Sequence, residues 1–166
     1  MIEWLLVLVG VLLVLACAAF VAFEFSLVTV DRPTVEREVE AGVRGSAGVL
    51  AALRTLSTQL SGAQLGITVT NLAIGFVAEP SIAALLRGPL ESAGLSGGAA
   101  RSVSITLALV LATALTMVFG ELVPKNVAIS EPLRTARAVA GFQRGFTRAT
   151  ALVIRFLNGW ANALLR

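Results

Sequence analysis

The sequence predicts an all-α membrane protein with three transmembrane helices, and three observations lead there. Of the 166 residues 57% are hydrophobic and only 14% are charged, and the mean hydropathy is +0.88, a balance that ordinary soluble domains do not reach. Three stretches, 4–23, 60–78 and 102–120, carry no charge at all. Each is long enough to cross roughly 30 Å of hydrocarbon as a helix. The arginines flank these stretches rather than entering them. A short helical hairpin and a C-terminal amphipathic juxtamembrane helix complete the predicted architecture.

The first span covers 1–30. A cleaved signal peptide would carry a basic residue where Glu3 stands and a shorter apolar core, so the segment reads as retained, with Trp4 at the outer interface. Pro33 disfavours helix at the residue before it and ends the span. Residues 34–55 mix Glu36, Glu38 and Glu40 with Arg37, Arg44 and Arg54, and read as an amphipathic hairpin arm on the cytoplasmic membrane face. The second span, 60–78, is punctuated by Gly62, Gly66 and Gly75. Glu79-Pro80 is expected to break it, leaving a short re-entrant or interfacial helix and a loop over 81–100. The third span is 102–128. Over 131–166, Arg134, Arg137, Arg144, Arg148 and Arg155 are spaced 3, 7, 4 and 7 apart and fall on one helical stripe, with Phe142, Phe146 and Val153 on another face. That pattern describes a basic belt lying against lipid phosphates, with a break expected near Asn158-Gly159.

The charge distribution fixes orientation. Nothing basic precedes the first span, whereas seven Lys and Arg residues follow the third uncharged stretch, 102–120. Three spans then put the N-terminus outside and the C-terminus in the cytoplasm of a multi-pass cell-membrane protein. The isoelectric point near 10.4 could suggest nucleic acid, but basic residues beside apolar spans are read as membrane flanks, so no nucleic-acid partner is expected. There is no His and a single cysteine, Cys17, which leaves zinc and iron–sulfur centres without their usual ligands. Cys17 reads as packing within the first span. With no plausible nucleophile–base pair, an enzyme is not expected. Ending at Arg166 directly after an interfacial helix, the chain reads as a piece of a longer protein.

Each span also carries polar residues where lipid would forbid them. The first ends with Glu24, Ser26 and Thr29, the second holds Thr68, Thr70 and Asn71, and the third ends with Glu121 and Lys125. A carboxylate at membrane depth faces a partner, a water-filled cavity or an ion. Pro124 lacks an N–H, which in an α-helix frees the carbonyl of Gly120 on the same turn. Carboxylate, amide and hydroxyl oxygens are the hard ligands that magnesium and calcium prefer. The plainer alternatives stay open. The hydroxyls can bond back to helix carbonyls, Asn71 can bridge helices, Glu24 can be a packing carboxylate, and Glu121 can pair with Lys125. One oxygen-rich patch on every span favours the ion.

The runs Phe23-Glu-Phe-Ser-Leu-Val-Thr-Val, Ala63-Gln-Leu-Gly-Ile-Thr-Val-Thr-Asn71 with Glu79-Pro80, and Gly120-Glu-Leu-Val-Pro-Lys-Asn126 resemble the transmembrane domain of the CorC/cyclin M (CNNM) magnesium transporters. Many bacterial members of that family are called hemolysin-related proteins, and the likeness covers nearly the whole chain. It implies a homodimer of protomers with three transmembrane helices, a helical hairpin and a juxtamembrane belt. It also implies a magnesium ion held by serine, asparagine and glutamate side chains and by backbone carbonyls. Carried onto this chain, those ligands are Ser26, Asn71 and Glu121, with Gly66 and Gly120 as the carbonyl candidates; Glu24, Thr68, Thr70, Pro124 and Lys125 support them. Magnesium export, with sodium proposed as the coupling ion, is the implied function. The alternative is a magnesium-sensing membrane scaffold or regulator that moves no ions. The family's cytoplasmic CBS pair is absent from this sequence. Pairing of two copies is expected through small-residue faces, Gly62, Gly66 and Ala73 on the second span and Ser104, Ala108 and Ala112 on the third.

Overall fold

Residues 2–164 are described in the computed structural model, and they are almost wholly helical, with no strand among them. Helix α1 (Ile2–Thr29), α4 (Leu56–Ser92) and the continuous run Gly97–Ser130 are each long and apolar enough to cross a membrane. That run consists of α5 (Gly97–Leu115), a π-helical segment (Thr116–Leu122) and α6 (Val123–Ser130). The hairpin arm is α2 (Arg32–Glu40) and α3 (Ser46–Leu53), and the belt is α7 (Pro132–Ala149) and α8 (Ala151–Leu164). Leu165 and Arg166, the last residues of the expected belt, lie outside the described residues.

The structure corrects two expectations. Glu79-Pro80 does not break the second span, because α4 runs on through both Pro80 and Pro89 to Ser92. A proline inside a helix costs about 3 kcal/mol, yet a break in lipid would expose backbone groups that no water can satisfy. Residues 81–92 are therefore the end of α4, followed by a turn at Gly94 (φ +95) and the start of α5. The belt divides at Thr150, not at Asn158-Gly159. The Thr150 hydroxyl donates to Phe146 O at 2.8 Å and closes α7. Asn158 Oδ1 accepts from Ser61 Oγ at 2.9 Å, which ties α8 to α4 instead of ending it. Arg155 thus stands on a different helix from the other four arginines.

Two compact units make up the chain. One comprises Met1–Cys17 and Val69–Leu122, the other Ala18–Thr68 and Val123–Arg166. In the first, a Cβ on Gly10 would come within 2.7 Å of Ala78 Cβ, so α1 and α4 meet there at near backbone contact. Ser104, Ala108 and Ala112 are buried in the same unit. Large apolar side chains such as Leu12, Val110 and Phe76 point outward, the last 82% exposed, which suits lipid and not water.

The second unit has its core in Phe23, Leu27, Val35, Val49, Ala52, Ala63, Ala136 and Ala140. Asp31 caps α2, accepting from the Thr34 backbone N–H (3.1 Å) and hydroxyl (2.7 Å), and these bonds hold its carboxyl below the usual carboxylate range. Glu38 Oε2 accepts from Ser46 Oγ at 2.6 Å and from Arg137 Nη1 at 3.0 Å, fastening α2 to α3 and α7. Under α4, Gln143 Nε2 donates to Gln59 O and to Thr147 Oγ1, both at 3.1 Å, and Thr147 donates to Gln59 Oε1 at 3.3 Å. Gly62 leaves room for this network, since a Cβ there would lie 2.6 Å from Thr147 Oγ1. Gly66 lies against the Phe20 ring. The small-residue faces expected to pair two copies are therefore largely occupied within one chain.

The same packing narrows the basic stripe. Arg137 is bound to Glu38, Arg134 bonds Glu131 at 2.9 Å, and Arg144 Nε donates to Ala140 O at 3.2 Å. Arg134, Arg148 and Arg155 are exposed, and of these Arg148 and Arg155 hold no ion pair among the described residues. Near an anionic surface each contributes on the order of 1 kcal/mol. Replacing both by Glu should lower the hydrogen-exchange protection of α7 and α8 in phosphatidylserine-containing nanodiscs and leave magnesium affinity intact. Equal protection before and after would mean that the two arginines do not hold these helices on lipid.

Candidate cation site

The π-helical segment Thr116–Leu122 is what positions Glu121. Widening the helix to i→i+5 bonding inserts a residue into the turn and is frequent at functional sites. Here it leads directly into Pro124, and the chain stays helical through the proline to Ser130. The carbonyl that loses its donor to Pro124 is that of Gly120 in an α register and that of Phe119 in a π register. Gly120 is buried, and a Cβ on it would come 3.3 Å from Thr116 Cγ2 and 3.7 Å from Cys17 Sγ. The glycine lets the helix press against α1.

Asn71 on α4 and Glu121 converge. Asn71 Nδ2 donates to Glu121 Oε1 at 3.4 Å, a long bond, while Cys17 Sγ donates to Asn71 Oδ1 at 3.3 Å. Both residues line an open cavity of about 330 Å³ with Ile74, Gly75, Glu79, Ala112, Thr113, Thr116 and Met117. No basic side chain among the described residues lines it. In this arrangement the amide turns its nitrogen to the carboxylate and its oxygen to Cys17. Ligation of a cation by Asn71 requires the amide to turn over, which exchanges an N–H on Glu121 for a positive ion. The Thr116 hydroxyl oxygen, also at this cavity, is buried without a hydrogen-bond partner.

The other expected ligands stand as follows. Ser26 lies in the second unit, fully buried, and its hydroxyl donates to Phe23 O at 3.0 Å, leaving the oxygen's lone pairs open. Gly66 and Thr68 belong to the same unit, and Thr68 donates to Gln64 O at 2.9 Å. Glu24 is half-buried there. Lys125 holds its Nζ 4.6 Å from the centre of the Phe25 ring, a cation–π contact that occupies the ammonium. Thr70 is buried in the first unit with Asn71. No group of three or more His, Cys, Asp or Glu side chains occurs among the described residues, so any cation here relies on neutral oxygens beside one or two carboxylates.

Four residues at this site were not read from the sequence as part of it: Cys17, Glu79, Thr113 and Thr116. Glu79 left a signal, because Asn71, Gly75 and Glu79 are four apart and share one helix face.

The chain matches a family model described as the cyclin M transmembrane N-terminal domain over residues 8–166. It is 46% identical over 147 residues to UPF0053 protein MT1890 of Mycobacterium tuberculosis, covering 89% of this chain and 32% of that protein. It is 36% identical over 159 residues to UPF0053 protein YhdT of Bacillus subtilis, covering 96% of this chain and 34% of that protein. The chain thus spans about a third of the length of these two relatives.

Proposed function

Since the chain belongs to the cyclin M transmembrane domain family, we propose that it binds magnesium within the membrane and carries it outward across the bilayer. The observation that bears most weight is the meeting of Asn71 and Glu121 at one partly polar cavity that no basic side chain among the described residues lines. Magnesium gives up water reluctantly and favours near-octahedral oxygen geometry at about 2.0–2.1 Å. Glu121 supplies the charge that offsets dehydration, and Asn71 supplies a neutral oxygen once its amide turns. Ser26 and the carbonyls of Gly66 and Gly120 are the further ligands of the proposal, and two copies of the chain act together. Sodium is the proposed coupling ion. The deciding experiment is magnesium flux from loaded proteoliposomes into a dye-containing bath. Outward flux supports transport, whereas calorimetric binding without flux would make the site a sensor.

Transport outward presumes an external N-terminus. In cells, Ile2→Cys should react with an impermeant maleimide, and Arg134→Cys only after permeabilisation. Native Cys17 is buried and leaves the background low. Equal labelling from outside would require an even number of spans and defeat this topology.

A further inference from the structure

Glu79 stands two helical turns beyond Asn71 on α4, and Gly75 lies midway between them. Glu79 Oε1 is only 3.8 Å from where a Cβ on Gly75 would sit, so the carboxylate folds back over the glycine. It lines the same cavity as Glu121. Two carboxylates therefore share one space, and their joint charge matches a divalent cation. Thr113 and Thr116 complete the polar lining, and the buried Thr116 oxygen has an unfilled hydrogen-bonding site.

Size decides what form of the ion this space takes. The cavity offers about 330 Å³ and is open on one side, so an ion fits in it together with its bound waters. A hydrated ion meets the wall of such a space through its bound waters. Waters bound to a metal turn their hydrogens outward, so the complementary wall is one of acceptors. Carboxylates are the strongest acceptors available, and hydroxyl oxygens add to them.

We infer that Glu79 is a second carboxylate of this cavity, and that with Glu121 it holds a divalent cation through its water shell before side-chain ligands replace that shell. The inference rests on the proposed magnesium site and extends it. Glu79 and Glu121 accept hydrogen bonds from metal-bound water, and Asn71 is the first group placed to displace a water. Removing one of two charges from such a station weakens a divalent ion more than a monovalent one, because the Coulomb energy scales with the ion's charge.

Hexaamminecobalt(III) is the probe, since its six ammines do not exchange and it presents only N–H donors, as hydrated magnesium presents only O–H donors. With the chain in lipid nanodiscs it should displace magnesium in calorimetric competition. Glu79→Gln should weaken magnesium binding on the order of tenfold and weaken the cobalt complex alongside it, while Glu79→Asp retains part of both. If Glu121→Gln weakens magnesium but Glu79→Gln alters neither ion, the inference is overturned and the proposed site stands. If Glu121→Gln also leaves magnesium unchanged, the proposed site falls and this station falls with it. Should Glu79→Gln fail to fold, the unsubstituted chain decides: no competition between the cobalt complex and magnesium overturns the inference.

Discussion

Replacing Glu121 by Gln should reduce magnesium affinity by on the order of 3 kcal/mol, a loss of more than a hundredfold. Gln keeps the shape of the side chain and can still bond to Asn71, but it removes the charge that offsets dehydration of a divalent ion. Asn71→Ala and Ser26→Ala should cost less, about 1–3 kcal/mol each, as the loss of a neutral partner. The competing role for Glu121, a structural pair with Lys125, predicts damage to folding with ion affinity intact in whatever protein survives. The geometry speaks against that role. Glu121 accepts from Asn71, and Lys125 places its ammonium over the Phe25 ring at 4.6 Å. Calorimetric titration of folded Glu121→Gln protein in nanodiscs decides between the two, and unchanged affinity would end the assignment.

The three spans were legible because lipid imposes a simple rule: some twenty uncharged residues, helical throughout, with basic residues beside them. The same rule explains what sequence reading missed. Pro80 is read as ending a helix, as a proline readily does in water, whereas Pro124 is read only as freeing a carbonyl within a continuing third span. In the structure α4 passes through Pro80 without a break, and the third span takes up Pro124 behind a π-helical turn. Treating Glu79-Pro80 as a boundary hid Glu79 from the cavity it shares with Asn71, although the spacing was visible. Cys17 was hidden by its type, since a thiol in an apolar run reads as packing until Asn71 Oδ1 is found 3.3 Å away. The glycines misled in another way. Gly62 and Gly66 announce a close approach, but sequence alone does not say whether the neighbour is a second copy or the same chain.

Gly66 separates those readings experimentally, and Gly66→Leu should be among the most destabilising single changes in the chain. A Cβ alone would sit 2.6 Å from three atoms of the Phe20 ring. That ring is wedged against Phe142 at 4.9 Å and Phe146 at 4.7 Å between centroids, so it cannot step aside freely. Overpacking of this kind typically costs about 1–3 kcal/mol and more for a bulky insert. Gly66→Ala is the weaker probe, because alanine recovers up to about 1 kcal/mol of helix propensity and masks part of the clash. Combining Gly66→Leu with Phe20→Ala should restore much of the loss, a coupling of roughly 0.5–3 kcal/mol in a double-mutant cycle of unfolding in lipid. A dimer-face role predicts the reverse pattern: Phe20→Ala gives no rescue, and crosslinked dimer disappears while the protomer stays folded. The substitution leaves the backbone carbonyl in place, so magnesium affinity in the folded double variant should stay close to that of Phe20→Ala alone. A large further drop in affinity there would tie Gly66 to the ion rather than to the aromatic stack.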